Sequence, residues 1–139
     1  MTDDAVTSAP SRSGPHQILL ACYAVFAVAA GARSLVQLTT RYDEAPLAYL
    51  LSLAAALTYA AAWFAIRRAA AGSTGPARVL LWTELTGVLV VGTLSLVEED
   101  WFPDATVWSD YGRGYGWVPA VLPVAGLLWL HRRAKEPVA

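Results

Sequence analysis

The sequence predicts an all-α membrane fold: an antiparallel, up-down four-helix bundle with both termini cytoplasmic and an aromatic, acidic outer loop between helices three and four. Three observations carry this. Hydrophobic residues make up 56% of the 139-residue chain and charged residues only 15%, where soluble domains run closer to ~45–50% and ~25%. The apolar residues are gathered in four blocks with the charges between them. The basic residues fall mainly in alternate connections, as orientation in a bilayer requires.

The blocks run from Ile18 to Leu38, Pro46 to Ile66, Val79 to Val97 and Trp117 to Leu130. A bilayer-crossing helix needs about 20 mostly apolar residues. The first three blocks meet this, and the fourth is short unless it recruits Tyr115, Gly116 or His131. The blocks are too long for barrel strands and lack alternation. They are rich in Ala and Leu, which favour helix. Residues 1–15, rich in Ser, Thr, Pro and Asp, form a disordered cytoplasmic tail. Residues 16–133 form a single transmembrane domain, and residues 134–139 a C-terminal tail. A cleaved leader ending at Ala30-Gly31-Ala32 is the competing reading. It is disfavoured because the apolar run continues through Leu35, Val36 and Leu38.

The connections agree with four spans. Thr39–Ala45 is a tight link, in which Asp43 is expected to cap the second helix with Glu44 and Pro46 in its first turn. Arg67–Arg78 is a Gly/Ser/Pro loop, and Glu98–Gly116 is the longest link. Arg12, Arg67, Arg68, Arg78, Arg132, Arg133 and Lys135 fall on one side of this topology, and Arg41 and Arg113 on the other. The positive-inside rule then puts both termini in the cytoplasm of a multi-pass plasma-membrane protein.

Two charges lie inside spans, Arg33 in the first and Glu84 in the third. Intramembrane charges are costly and mark function or a pair. At ~1.5 Å per residue the two Cα atoms differ by roughly 9 Å in height, so they are expected to pair or share a polar network with Gln37, one turn beyond Arg33. Gly87, one turn beyond Glu84, leaves room for another helix. Ala27 and Gly31, and Ala56 and Ala60, have the small-xxx-small spacing that permits close helix contact. Thr83, Thr86, Thr93 and Ser95 either line a wet cleft or bond between helices. Pro119 and Pro123 share a face of the fourth helix, and Pro123 is expected to kink it.

The outer loop EEDWFPDATVWSDYGRGYGW carries Trp101, Phe102, Trp108, Tyr111 and Arg113. Its aromatics suit either an interfacial cap on the bundle or a partner-docking surface and lid. Gly114-Tyr115-Gly116 lacks the Thr-Val that a potassium filter needs before it. The loop acids fit no calcium-loop spacing. His16 and His131 are too isolated for a zinc or haem site, and Cys22 has no partner. No nucleophile has an evident base and no phosphate loop is present, so the sequence predicts a non-enzymatic protein with no cofactor and no metal. With a net charge of −1, no basic field points to nucleic acid.

The run SLVQLTTRYDEAPLAYLLSLAAALTYAAAW, with ELTGVLVVGTLSL and FPDATVWSDYGRGYGWVPAVLPVAGLLWL, resembles a group of small actinobacterial integral membrane proteins of four spans. The resemblance covers residues 18–130. It implies a bacterial plasma-membrane location and no activity or site residue. Two functions are expected from these readings. One is an accessory or interaction subunit of a larger membrane assembly. The other is a small oligomeric carrier or lipid-binding protein using Arg33 and Glu84. The partners implied are the lipid bilayer and either a larger membrane protein or further copies of the chain.

Overall fold

The structure, a computed structural model, describes residues 13–135. Four long helices account for most of it: α1 (Ser13–Thr40), α2 (Pro46–Ala70), α3 (Gly75–Val97) and α4 (Val118–Lys135). No strand occurs among the described residues. Three of the helices are long and apolar enough to cross a membrane, from Gly14, Pro46 and Gly75 onward. At ~1.5 Å per residue their 23–28 residues span about 34–42 Å, beyond the ~30 Å hydrocarbon core. α4 is the exception. Its 18 residues end in Arg132, Arg133 and Lys135, so its apolar part is shorter than a full crossing.

The helix ends differ from the expected ones in an orderly way. α1 begins at Ser13 rather than Ile18 and α3 at Gly75 rather than Val79, because a backbone already helical continues past its apolar stretch. The expected tail is therefore helical from Ser13, and residues 1–12 and 136–139, with Arg12, lie outside the described residues. The expected Asp43 cap is absent. Tyr42–Glu44 form a short 3-10 turn, Ala45 precedes α2 with no side-chain cap, and Pro46 opens the helix. Glu44 turns instead to Arg41, 2.8 Å away, an exposed pair of small energetic weight.

Packing is inside-out relative to a soluble bundle. Large apolar residues stand outward on every helix, among them Val28 and Leu35 on α1 and Leu50, Leu57 and Phe64 at seven-residue spacing on α2. The interior holds small residues and polar aromatics: Ala55, Ala56, Ala62, Ala65, Ser34, Tyr23 and Tyr59. An apolar exterior this extensive is what lipid rather than water accommodates. A Cβ added at Gly31 would meet Ala56 at ordinary contact distance, so the small-residue stripes bring α1 against α2.

The helix ends gather in two sets. At one end His16 stacks on Trp129, with centroids 5.4 Å apart, and Arg133 donates to the Ala70 carbonyl at 2.8 Å. At the other end Tyr49 donates to Asp104 at 3.1 Å. Pro123 sits inside α4 without ending it, its ring buried beside that of Pro119.

The segment between α3 and α4 is folded into the bundle rather than laid on it. Trp108, expected at the membrane interface, is 6% exposed and donates its indole N–H to the Tyr59 hydroxyl at 2.9 Å. The space at Gly87 is filled by this ring and not by a helix, since a Cβ there would stand 2.5 Å from the indole. Five residues on, Tyr111 lies on Gly92 and meets the Thr93 hydroxyl at 2.8 Å. Ser95 accepts the Asp110 N–H at 2.9 Å. Asp110, Tyr111 and Gly112 take φ values of 52°, 61° and 85° in succession. Such left-handed backbone costs on the order of 1–3 kcal/mol for each non-glycine residue and persists only where surroundings hold it. Thr93, Ser95 and the bare backbone at Gly92 do the holding. Phe102 packs on the Ala45, Ala48 and Tyr49 cluster, while Trp101 stays 52% exposed.

Two glycines separate tight from loose positions. Gly92→Ala drives a methyl group into the Tyr111 ring and is expected to destabilise by about 1–3 kcal/mol. Gly31→Ala meets only the Ala56 Cβ at 3.8 Å and is expected to be near neutral. Limited proteolysis of residues 98–117 in detergent checks both: cleavage rises for the first variant and stays unchanged for the second.

Candidate functional site

The polar residues expected to form one site occupy two places. Glu84, in the middle of α3, is 0% exposed. Its Oε1 accepts the Tyr23 hydroxyl at 2.7 Å, and its Oε2 has no hydrogen-bond partner. Arg33 is exposed near the far end of α1 and donates to the Tyr115 hydroxyl at 2.8 Å. The expected Arg33–Glu84 pair is therefore not formed. Height explains it. Glu84 lies nine residues into α3 and Arg33 twenty into α1. Tyr23, which reaches Glu84, precedes Arg33 by ten residues, or about 15 Å of helix. No arginine side chain closes that gap, and Tyr115 meets the guanidinium first.

Around Arg33 the surface is hollowed into two adjoining grooves. One, of about 480 Å³, lies between Arg33 and the folded segment at Thr106, Ser109, Arg113 and Tyr115. The other, of about 520 Å³, runs along α1 past Gln37 and Arg41 to Asp104. Of the expected site residues, the structure thus joins Arg33, Gln37 and Arg113 around one surface and leaves Glu84 in the core. The expected docking aromatics divide in the same way. Trp101 is exposed, Phe102 and Tyr111 are half-buried, and Trp108 is internal and offers no docking surface.

The charge pattern follows from who bonds whom. Arg41 is paired by Glu44. Asp104 accepts from Tyr49 and from the Ala105 N–H. Asp110 accepts from Ser95 at 3.3 Å. Among the described residues no carboxylate pairs with Arg33 or Arg113. The grooves therefore carry two guanidiniums with free donors, beside acids already bonded within the protein. A surface of this kind binds carboxylate or phosphate oxygens through charge-assisted hydrogen bonds.

The threonines and serine of α3 take the second of their two expected roles in part. Thr83 bonds back to the Val79 carbonyl of its own helix, whereas Thr93 and Ser95 fix the inserted segment. Sequence reasoning missed Tyr23, Tyr59 and Tyr115, which bond Glu84, Trp108 and Arg33 respectively. For Tyr23 and Tyr59 the available signal was a phenolic hydroxyl in an otherwise apolar block, since a buried Tyr O–H requires a partner. No group of three or more potential metal-ligating residues is found among the described residues. Compared with protein-family models, curated proteins and solved structures, the chain matches none.

Proposed function

We propose that this is a non-enzymatic, four-span plasma-membrane protein with both termini cytoplasmic, acting as an interaction subunit of a larger membrane assembly. On this reading its outer surface around Arg33 and Arg113 receives an acidic segment of a partner membrane protein. The observation that carries it is the rigid insertion of residues 106–115, which presents two guanidiniums without carboxylate partners. A surface held in place by Trp108, Tyr111 and Ser95 loses little further freedom on binding, and preorganisation of this kind favours affinity. The topology is supported by Arg67, Arg68, Arg78, Arg132, Arg133 and Lys135, which occupy the end of the molecule where α1 starts and α4 finishes.

The test is the mass of the complex isolated at native expression level in native nanodiscs. A stoichiometric larger partner is expected for the wild type. Arg33→Glu with Arg113→Glu is expected to remove it at little cost in thermal stability, because both side chains are exposed and only the exposed Arg33–Tyr115 hydrogen bond is lost. A homo-oligomer with no other protein would overturn this reading. The carrier alternative would then take its place.

A further inference from the structure

The opposite end of the molecule carries a second, independent feature. Between α3 and α4 a groove of about 560 Å³ is walled by Trp82, Leu85, Val124, Leu127 and Leu128, with Arg78 and His131 at its mouth. On the other side of Arg78 and Trp82 lies a shallower groove of about 460 Å³, running along Val79, Thr83 and Thr86. Arg78 and Trp82 are common to both. They are one turn apart on α3, so the cation stands at the head of two open, mainly apolar surface channels on either side of the indole. The first channel follows α3 from Arg78 to Leu85, about 10 Å of helix.

Among the described residues, charge at this end is one-sided. Residues 61–80 and 118–135 include no Asp or Glu. Two of the arginines are engaged within the protein: Arg67 lies over the Trp63 ring at 4.9 Å, and Arg133 lies over Trp129 while bonding the Ala70 carbonyl. Arg78 makes no side-chain hydrogen bond or ion pair among the described residues. Its five donors are free at the mouth of both channels, at the depth where headgroup phosphates lie if α3 crosses the bilayer.

We propose that the paired grooves hold one anionic diacyl phospholipid, with its phosphate on Arg78 beside His131 and one acyl chain in each channel. Charge complementarity selects an anionic headgroup, since basic pockets between membrane helices at this level recognise such lipids. Two channels meeting at one cation fit a two-chain lipid better than a single-chain amphiphile. The inference needs the helices to lie in a membrane but does not need the outer-face partner, and no residue is shared between the two sites.

The full chain, purified in neutral mild detergent and stripped of lipid, is mixed with phosphatidylglycerol or phosphatidylcholine, and retained lipid is counted by native mass spectrometry. One phosphatidylglycerol per chain is expected, retained about fivefold over phosphatidylcholine, the effect of one cation at a membrane surface. Arg78→Gln is expected to abolish that preference. Leu128→Trp fills the first channel without changing charge and is expected to lower retention of both lipids. Arg68→Gln and Arg132→Gln are expected to leave retention unchanged. Equal retention of the two lipids by the wild type would overturn the proposal. So would equal losses from Arg68→Gln and Arg78→Gln, which mark a diffuse basic surface. Inorganic phosphate at equal concentration displacing the bound phosphatidylglycerol completely, or a lipid-free dimer disrupted by Leu128→Trp, would also sink it.

Discussion

Trp108→Ala is expected to lower the unfolding free energy by about 3–5 kcal/mol, the range for removing a buried tryptophan from a packed interior. Three losses combine in it. The indole leaves a hole against Gly87, which has no side chain to relax into it. The Tyr59 hydroxyl loses its donor. The edge-to-face contact with Tyr59, at a centroid separation of 6.4 Å, disappears. Trp108→Phe keeps most of the volume and loses the N–H, so about 1 kcal/mol is expected from the hydrogen bond. The measurement is reversible unfolding in mixed micelles, followed by near-ultraviolet circular dichroism. A loss for Trp108→Ala no larger than that for the exposed Trp101→Ala would show that the insertion contributes nothing to the fold. The result also bears on the outer surface, because Arg33 is bonded through Tyr115, and Tyr115 packs on Phe26 beside this cluster.

What was legible in the sequence, and what was not, divides along a physical line. Hydropathy reports how long a segment can stay in lipid, so the helices of blocks one to three are recovered near their expected positions and the short fourth block remains the doubtful crossing. It carries no information about rotation around a helix axis or about which helix stands beside which. Arg33 and Glu84 match by sign and approximate depth, but counting residues along each helix does not show which side chain of α1 stands level with Glu84. The hydroxyl that reaches Glu84 belongs to Tyr23, in the same apolar block as Arg33. Acids favour helix starts, so the sequence points to Asp43 as the cap with Glu44 in the first turn. The 3-10 turn Tyr42–Glu44 brings Glu44 onto Arg41 instead.

The aromatic loop shows the same division more sharply. Composition alone places tryptophans at an interface, and Trp101 and Trp117 do remain exposed. Trp108 does not, because Gly87 leaves α3 bare where the indole lies, as Gly92 does under the Tyr111 ring. A glycine pair five residues apart on a helix is readable in sequence. Its occupant is not, since the chain reaches it only by adopting three consecutive left-handed residues, Asp110 to Gly112. Two of those three are not glycine, so local propensity argues against the turn and tertiary contacts impose it. The surface that presents Arg113 is thus set by packing below it rather than by its own sequence.

Tyr23→Phe is expected to destabilise by about 1–3 kcal/mol, and adding Glu84→Leu to it is expected to return most of that loss. The reasoning rests on asymmetry. Glu84 is wholly enclosed, with one carboxyl oxygen bonded to Tyr23 and the other to nothing. Removing the tyrosine hydroxyl leaves an acid side chain with no partner in an apolar interior, where desolvation is uncompensated. Glu84→Leu alone leaves the Tyr23 hydroxyl unpartnered, at a smaller expected cost of about 1 kcal/mol. Removing both polar groups eliminates the desolvated pair, and apolar replacements of similar size at such places are often neutral or stabilising. The double-mutant cycle therefore has a predicted sign: the two losses do not add, and the double variant lies closer to wild type than Tyr23→Phe does. Unfolding in mixed micelles at fixed lipid content gives all four corners. Simple additivity would mean that Glu84 finds water or another partner once Tyr23 is altered, which the enclosed position of its side chain argues against. A double variant that folds as well as wild type yet fails to recover the outer-face partner would assign the pair a role beyond helix docking. One that recovers it would leave Tyr23 and Glu84 as the contact that sets α1 against α3.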